Sequence, residues 1–189
     1  MKCQMRIALA VCAGASIAAL APVFAEEMNL VKLHVDSFTV IGIEARTTNA
    51  REASGDGVIG SMWARLASEN LLSRIPHRTD SHIVAVYSDY ESDKDGAYIY
   101  TLGAKVDSAR DIPPGMAAVK ILSGDYAMFT AKGGSPQQMT VDLWKHIWSL
   151  GKPQKQLNRA YKTDFEVHYN GLQAQPPDTH IDIYIGIQK

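Results

Sequence analysis

Cysteine is confined to the first dozen residues: Cys3 and Cys12 are the only two in a sequence of 189. Both lie in a stretch that reads as an export address. Lys2 and Arg6 precede an apolar run from Ile7 to Leu20, and Val23-Phe24-Ala25 closes it with a small-x-small-like end. Residues 1–25 are therefore expected to be a signal peptide, cleaved near Ala25, and the expected location is periplasmic or secreted. Lipoprotein processing at Leu9-Ala10-Val11-Cys12 is disfavoured, because Val11 stands where a small residue is wanted and the apolar run ahead of it is short. With no cysteine left after cleavage, a disulfide scaffold, a thiol nucleophile and a zinc-thiolate site are all excluded.

Other absences narrow the function further. No apolar run of about 18 residues follows the leader, so no membrane span is expected. Loss of 25 residues leaves 164, and the 19 basic residues fall to 17 against 20 acidic ones, a formal charge of −3. That mild acidity opposes nucleic-acid binding, as does the lack of about 50 spare residues for a helix-turn-helix module. There is no Gly-x-Ser-x-Gly elbow and no Walker pattern. The six histidines, His34, His77, His82, His146, His168 and His180, show no metal-ligand spacing. No cofactor is implied, and no metal. The acidic run Asp89, Glu91, Asp93 and Asp95 lacks an EF-hand's spacing and reads as a solvated hairpin connection.

What is present is a chain built twice. Val31-Lys32-Leu33 and Phe38 match Val119-Lys120-Ile121 and Tyr126 at a separation of 88; Trp63 and Trp144 are 81 apart, and Leu102-Gly103 and Ile185-Gly186 are 83 apart. The organisation expected is one domain over 26–189, with halves of approximately 30–110 and 115–189 meeting at Ile112-Pro113-Pro114-Gly115. Each half reads as a strand, a helix and two strands. Phe38 to Thr47 is rich in β-branched residues; 49–57 is expected to be a loop offering Asp56 as a helix cap; Ile59, Met62, Trp63 and Leu66 recur at helical spacing. His82 to Tyr87 and Tyr98 to Val106 follow as strands. In the second half, Met116 to Leu122 and Tyr126 to Thr130 lead to Ser135-Pro136, which marks a helix entrance, and Val141, Trp144, Ile147 and Trp148 are expected to form the apolar stripe. Arg159 to Tyr169 and His180 to Ile187 close the half, the last strand with Ile181, Ile183, Ile185 and Ile187 on one face.

Glu166 is the residue on which function turns. In Asp164-Phe165-Glu166-Val167-His168-Tyr169, strand alternation places Asp164, Glu166 and His168 on one face and Phe165, Val167 and Tyr169 on the other. A solvated Glu166 would be ordinary. An enclosed one must protonate, find a positive partner or wait for one.

Seven segments stand out together: Phe38-Thr39-Val40-Ile41-Gly42-Ile43, the Trp63 helix, Ile75-Pro76-His77-Arg78, Tyr87-Ser88-Asp89-Tyr90-Glu91-Ser92-Asp93, Gly124-Asp125-Tyr126-Ala127-Met128-Phe129, Leu143-Trp144-Lys145-His146-Ile147-Trp148 and Asp164-Phe165-Glu166-Val167. In combination they resemble the GyrI-like proteins, which share the effector-binding domain of AraC-type and MerR-type multidrug regulators. The resemblance runs from about residue 34 to the terminus. It implies a duplicated α+β fold with pseudo-twofold symmetry, an antiparallel sheet with two main helices, and a ligand pocket where the halves meet. The family glutamate that reads cationic ligands falls on Glu166. Where the family has tyrosine two positions later this chain has His168, with Tyr169 next: either His168 replaces a pocket wall or an inserted residue slips the strand.

The binding partner expected is a cationic or amphipathic small molecule, held by Glu166 among Trp63, Tyr87, Trp144, Trp148 and His168. Ring faces attract cations by about 0.5–2 kcal/mol each. Core packing is the competing role for each tryptophan. Some GyrI-like proteins hydrolyse cyclopropanoid electrophiles, and in that alternative Glu166 would be the general base, the one catalytic residue. Gyrase inhibition, the source of the family name, is opposed by the export signal.

Overall fold

The computed structural model describes residues 30–151 and 157–188. The expected signal peptide lies outside them. Eight strands form one antiparallel sheet: β1 (Val31–Val35), β2 (Phe38–Thr47), β3 (Ile83–Ser88), β4 (Tyr98–Val106), β5 (Ala117–Ile121), β6 (Gly124–Lys132), β7 (Arg159–His168) and β8 (His180–Ile187). Helices α1 (Asn49–Ser54), α2 (Ile59–Ser68) and α3 (Leu71–Arg74) follow β2, and α4 (Pro136–Ser149) follows β6. None of the described helices is long and apolar enough to cross a membrane.

The strand order is β1-β6-β8-β7-β3-β4-β2-β5. Each half keeps the expected strand, helix, strand, strand order and gains a short leading strand, β1 or β5, which is given to the other half. The exchange is symmetric to the residue. Leu33 stands opposite Tyr126; moving the first forward and the second back by 88 gives Ile121 opposite Phe38, an observed pair. The closing strands follow a different offset. Gly42 faces Gly103, but Thr130, 88 residues on from Gly42, faces Asp182, 79 residues on from Gly103. The match of Leu102-Gly103 with Ile185-Gly186 is therefore coincidental.

The helices lie over one face of the sheet. Met62 and Leu66 of α2 and Met139, Leu143, Trp144 and Ile147 of α4 are buried against Ile43, Tyr100, Leu102, Phe129, Ile183 and Ile185. Each large apolar side chain so enclosed contributes about 1.5–3 kcal/mol. Three of the four β8 isoleucines are fully buried there and Ile187 partly so. The other face rolls in on itself. Phe38 of β2 meets Phe165 of β7 edge to face with centroids 5.4 Å apart, although β3 and β4 lie between those strands. In a flat sheet three strand spacings would separate them by about 14 Å. Within the roll, Gly42 and Gly103 let the paired strands β2 and β4 come close: a Cβ on either would collide with the other strand's backbone.

Three local expectations are corrected. Residues 49–54 are helical, not loop, because Thr48 accepts the Arg51 N–H and Gly55 closes the turn in the left-handed region at φ 90°. Asp56 caps nothing at α2; the Glu52 carboxylate instead accepts from the N–H groups of Val58 at 2.9 Å and Ile59 at 3.2 Å. On α4 the buried stripe is Met139, Leu143, Trp144 and Ile147, while Val141 and Trp148 are 42% and 37% exposed. Ser135 sits at that helix's N-cap with no side-chain cap bond, and Pro136 opens the first turn as expected.

Candidate functional site

β7 and β3 run side by side at the centre of the sheet, across the pseudo-twofold axis, and they deliver the site's floor. Glu166 pairs with Ala85 on one side and Ile183 on the other, so it shares the isoleucine face beneath the helices. It is 1% exposed. Three groups donate to it: Tyr87 Oη and Trp144 Nε1 to Oε1, each at 2.6 Å, and His168 Nε2 to Oε2 at 2.7 Å. The donors come from β3, from α4 and from β7 itself, which draws both halves onto one carboxylate.

Burial alone pushes the Glu166 carboxyl upward. The hydrogen bond and charge of His168, with the bonds from Trp144 and Tyr87, outweigh it and hold the group below the usual carboxylate range. Glu166 is thus an ionised side chain with three of its roughly four acceptor positions filled. Burial, and then the charge of Glu166, push the Tyr87 and Tyr100 hydroxyls well above their ordinary value, so both remain protonated.

His168, and not Tyr169, shares the pocket face with Glu166. The ladder from Asp164 to His168 is unbroken on both sides, with His168 opposite Ile83 and Ile181. Its ring lies edge-on to Trp63 at 4.8 Å, and Trp63 in turn donates its indole N–H to Tyr100 Oη at 3.0 Å. Tyr169 turns to the opposite face, where it donates to Asp182 at 2.8 Å and stacks on His180.

A cavity of about 890 Å³ opens above this floor, between α1 and α2 on one side and α4 on the other. Glu166, Trp63, Tyr87, Trp144, Trp148 and His168 all line it. The exposed Trp148 and Val141 are its α4 wall, which is why neither belongs to the buried stripe. The Tyr87 ring meets Trp144 at 4.8 Å and Tyr100 at 5.1 Å, so the floor is a continuous aromatic surface around one negative charge.

Sequence reasoning passed over Tyr98 and Tyr100, although their alternation along β4 places both on the Glu166 side. It also passed over Arg159, for a reason of geometry. Glu166 lies seven positions after Arg159, an odd offset, so an unbroken strand would put them on opposite faces. A register shift between Arg159 and Asp164, with Tyr161 at φ 49°, turns Arg159 back to the pocket side, where it pairs with Ile187. There Nη2 donates to the buried Asp164 at 2.6 Å, and the guanidinium lies over Trp144 at 5.6 Å and Tyr161 at 4.5 Å. Asp164 also accepts from Tyr90 Oη at 2.7 Å and the Gly186 N–H at 2.8 Å.

A sheet built twice, with helix-walled aromatic space over a buried carboxylate at its centre, defines the GyrI-like effector-binding class. The chain belongs to the family of integron-associated effector binding proteins, Cass2, whose model matches residues 33–187. An integron cassette protein from the mobile metagenome of Vibrio cholerae is 28% identical, with a TM-score of 0.66 over 84% of this chain and 95% of that one. YobU of Bacillus subtilis, which carries the name of a transcriptional regulator, is 27% identical over 157 residues, 82% of this chain and 96% of its own length. SAV2435, solved bound to tetraphenylphosphonium, is 18% identical with a TM-score of 0.67, over 85% of this chain and 94% of that one. At that identity the likeness is one of fold.

Proposed function

We propose that the protein captures amphipathic or cationic aromatic small molecules in the cavity between its halves, with Glu166 as the electrostatic anchor and Trp63, Tyr87, Trp144, Trp148 and His168 as the surrounding wall. One observation carries this reading: a carboxylate, 1% exposed, that accepts from three rings which themselves face about 890 Å³ of space. Carboxylate and ring faces both favour positive charge, and a dry site strengthens both. Membership in an effector-binding family agrees with capture, and so does a lipophilic cation bound to a protein of the same fold. The leader at residues 1–25 points to action in the periplasm or outside the cell.

Hydrolysis by Glu166 as general base fits the geometry less well. A carboxylate held below its usual range by three donors is a poor proton acceptor near neutrality.

Titration of tryptophan fluorescence with tetraphenylphosphonium and with neutral triphenylphosphine oxide tests the proposal. The expected result is preference for the cation, lost in Glu166→Gln. Equal affinity for both would end the case for Glu166 as a charge reader. Mass spectrometry of a recovered electrophilic ligand separates capture from turnover: an unaltered mass is expected.

A further inference from the structure

The cavity is not an acidic hole. Beside Glu166 and Glu52 its lining includes Lys94, Lys145 and Arg159. Glu52 is committed to Thr47 and to the N–H groups that open α2. Lys94 is paired with Asp95 at 2.6 Å at the exposed rim. Lys145 stands on the exposed side of α4. That leaves Glu166, with His168 bonded to it, and Arg159 set into the wall, and Trp144 connects the carboxylate to the guanidinium: its Nε1 donates to Glu166 while its ring lies under the Arg159 guanidinium.

Arg159 is 8% exposed, and Nη2 toward Asp164 makes the one hydrogen bond of its side chain among the described residues. Its Nε is buried and has no partner among them. A guanidinium has five N–H donors and normally uses several when enclosed. Asp164 balances its charge without filling those donors. A ligand carrying only positive charge would approach Glu166, whose acceptor positions are mostly taken, and would meet Arg159 on the same wall. A ligand with both charges would meet a complement at each end.

We propose, resting on the capture reading above, that the preferred ligand is zwitterionic: a flat amphipathic molecule whose cationic end lies toward Glu166 and whose anionic oxygens accept from Arg159 across the Trp144 indole. Arg159 is then a specificity-determining residue. Guanidinium donors suit carboxylate oxygens in particular, because the planar fork presents parallel N–H groups.

A dye pair with one xanthene ring system tests this: rhodamine 6G, an ester and permanent cation, against its free acid, which is zwitterionic at neutral pH. Tryptophan quenching of the wild-type protein should show the acid binding about tenfold tighter than the ester, as a charge-assisted bond predicts. In Arg159→Gln/Asp164→Asn, which removes both buried charges together, the ester should bind at least as well as before and the preference should vanish. Arg159→Lys, which keeps the charge, should retain part of it. Ester binding that depends on Glu166 and equals or exceeds acid binding in the wild type would overturn the zwitterion and leave capture standing. If neither dye binds, both readings fall. The wild-type comparison decides the matter even where the double variant does not fold.

Discussion

Substituting Glu166 has two separable consequences, because the same oxygens that would anchor the proposed ligand also satisfy three enclosed donors. Glu166→Gln keeps the shape but turns one acceptor into an N–H₂ group facing donors, and it should cost about 1–3 kcal/mol of stability, measurable by urea denaturation. The pH dependence has a defined sign. The folded-state carboxyl lies below its ordinary value of 4.5, so its contribution is present above that value and disappears as pH falls through the lowered one. The stability difference between wild type and Glu166→Gln should therefore shrink as pH falls below about 4. A difference that keeps growing below about 4 would contradict an ionised, three-donor Glu166.

The two main helices each have one side for the core and one for the cavity. On α4, Leu143 and Ile147 hold the helix down while Val141 and Trp148 face the opening. Trp148→Ala should lower ligand affinity by about 1 kcal/mol while changing stability by about 0.5 kcal/mol or less, as expected of a half-exposed side chain. On the facing wall, α1 acts through Glu52. Glu52→Ala removes the acceptor from the first N–H groups of α2 and should cost about 1 kcal/mol, with faster amide exchange at Val58 and Ile59 as its local signature. Asp56→Ala should show neither effect.

The halves are not independent. β1 and β5 each complete the other half's sheet, so a fragment of residues 115–188 loses the partner of β5 and leaves an edge of β6 open. Such a fragment should lack a cooperative urea transition, and mixing it with its complement should restore one. The rolled sheet sets a second limit. Gly103→Ala would place a methyl group in the backbone of Ile41 and Gly42 and should destabilise by about 1–3 kcal/mol, seen as a fall in the denaturation midpoint.

Much of this architecture was legible in the chain itself. The 88-residue match of Val31-Lys32-Leu33 and Phe38 with Val119-Lys120-Ile121 and Tyr126 reflects the strand pairing, and period-two alternation placed Asp164, Glu166 and His168 on one face. Less legible was α1, where Gly55, Asp56 and Gly57 suggested a loop while Thr48 and Gly55 in fact bound a short helix. Helical periodicity located α4 but did not distinguish the side turned to the core from the side turned to a cavity, since both are apolar.

By itself the sequence determined the repeat, the strand phase of Glu166 and the aromatic character of its surroundings, because these depend on spacing and side-chain type within single elements. Only the tertiary structure decided that three donors from separate elements would saturate that carboxylate, that β1 and β5 would change halves, and that Arg159 would face the pocket. The last depended on a register shift at Tyr161, and a shift of that kind reverses side-chain phase through backbone torsions that the residue pattern does not encode.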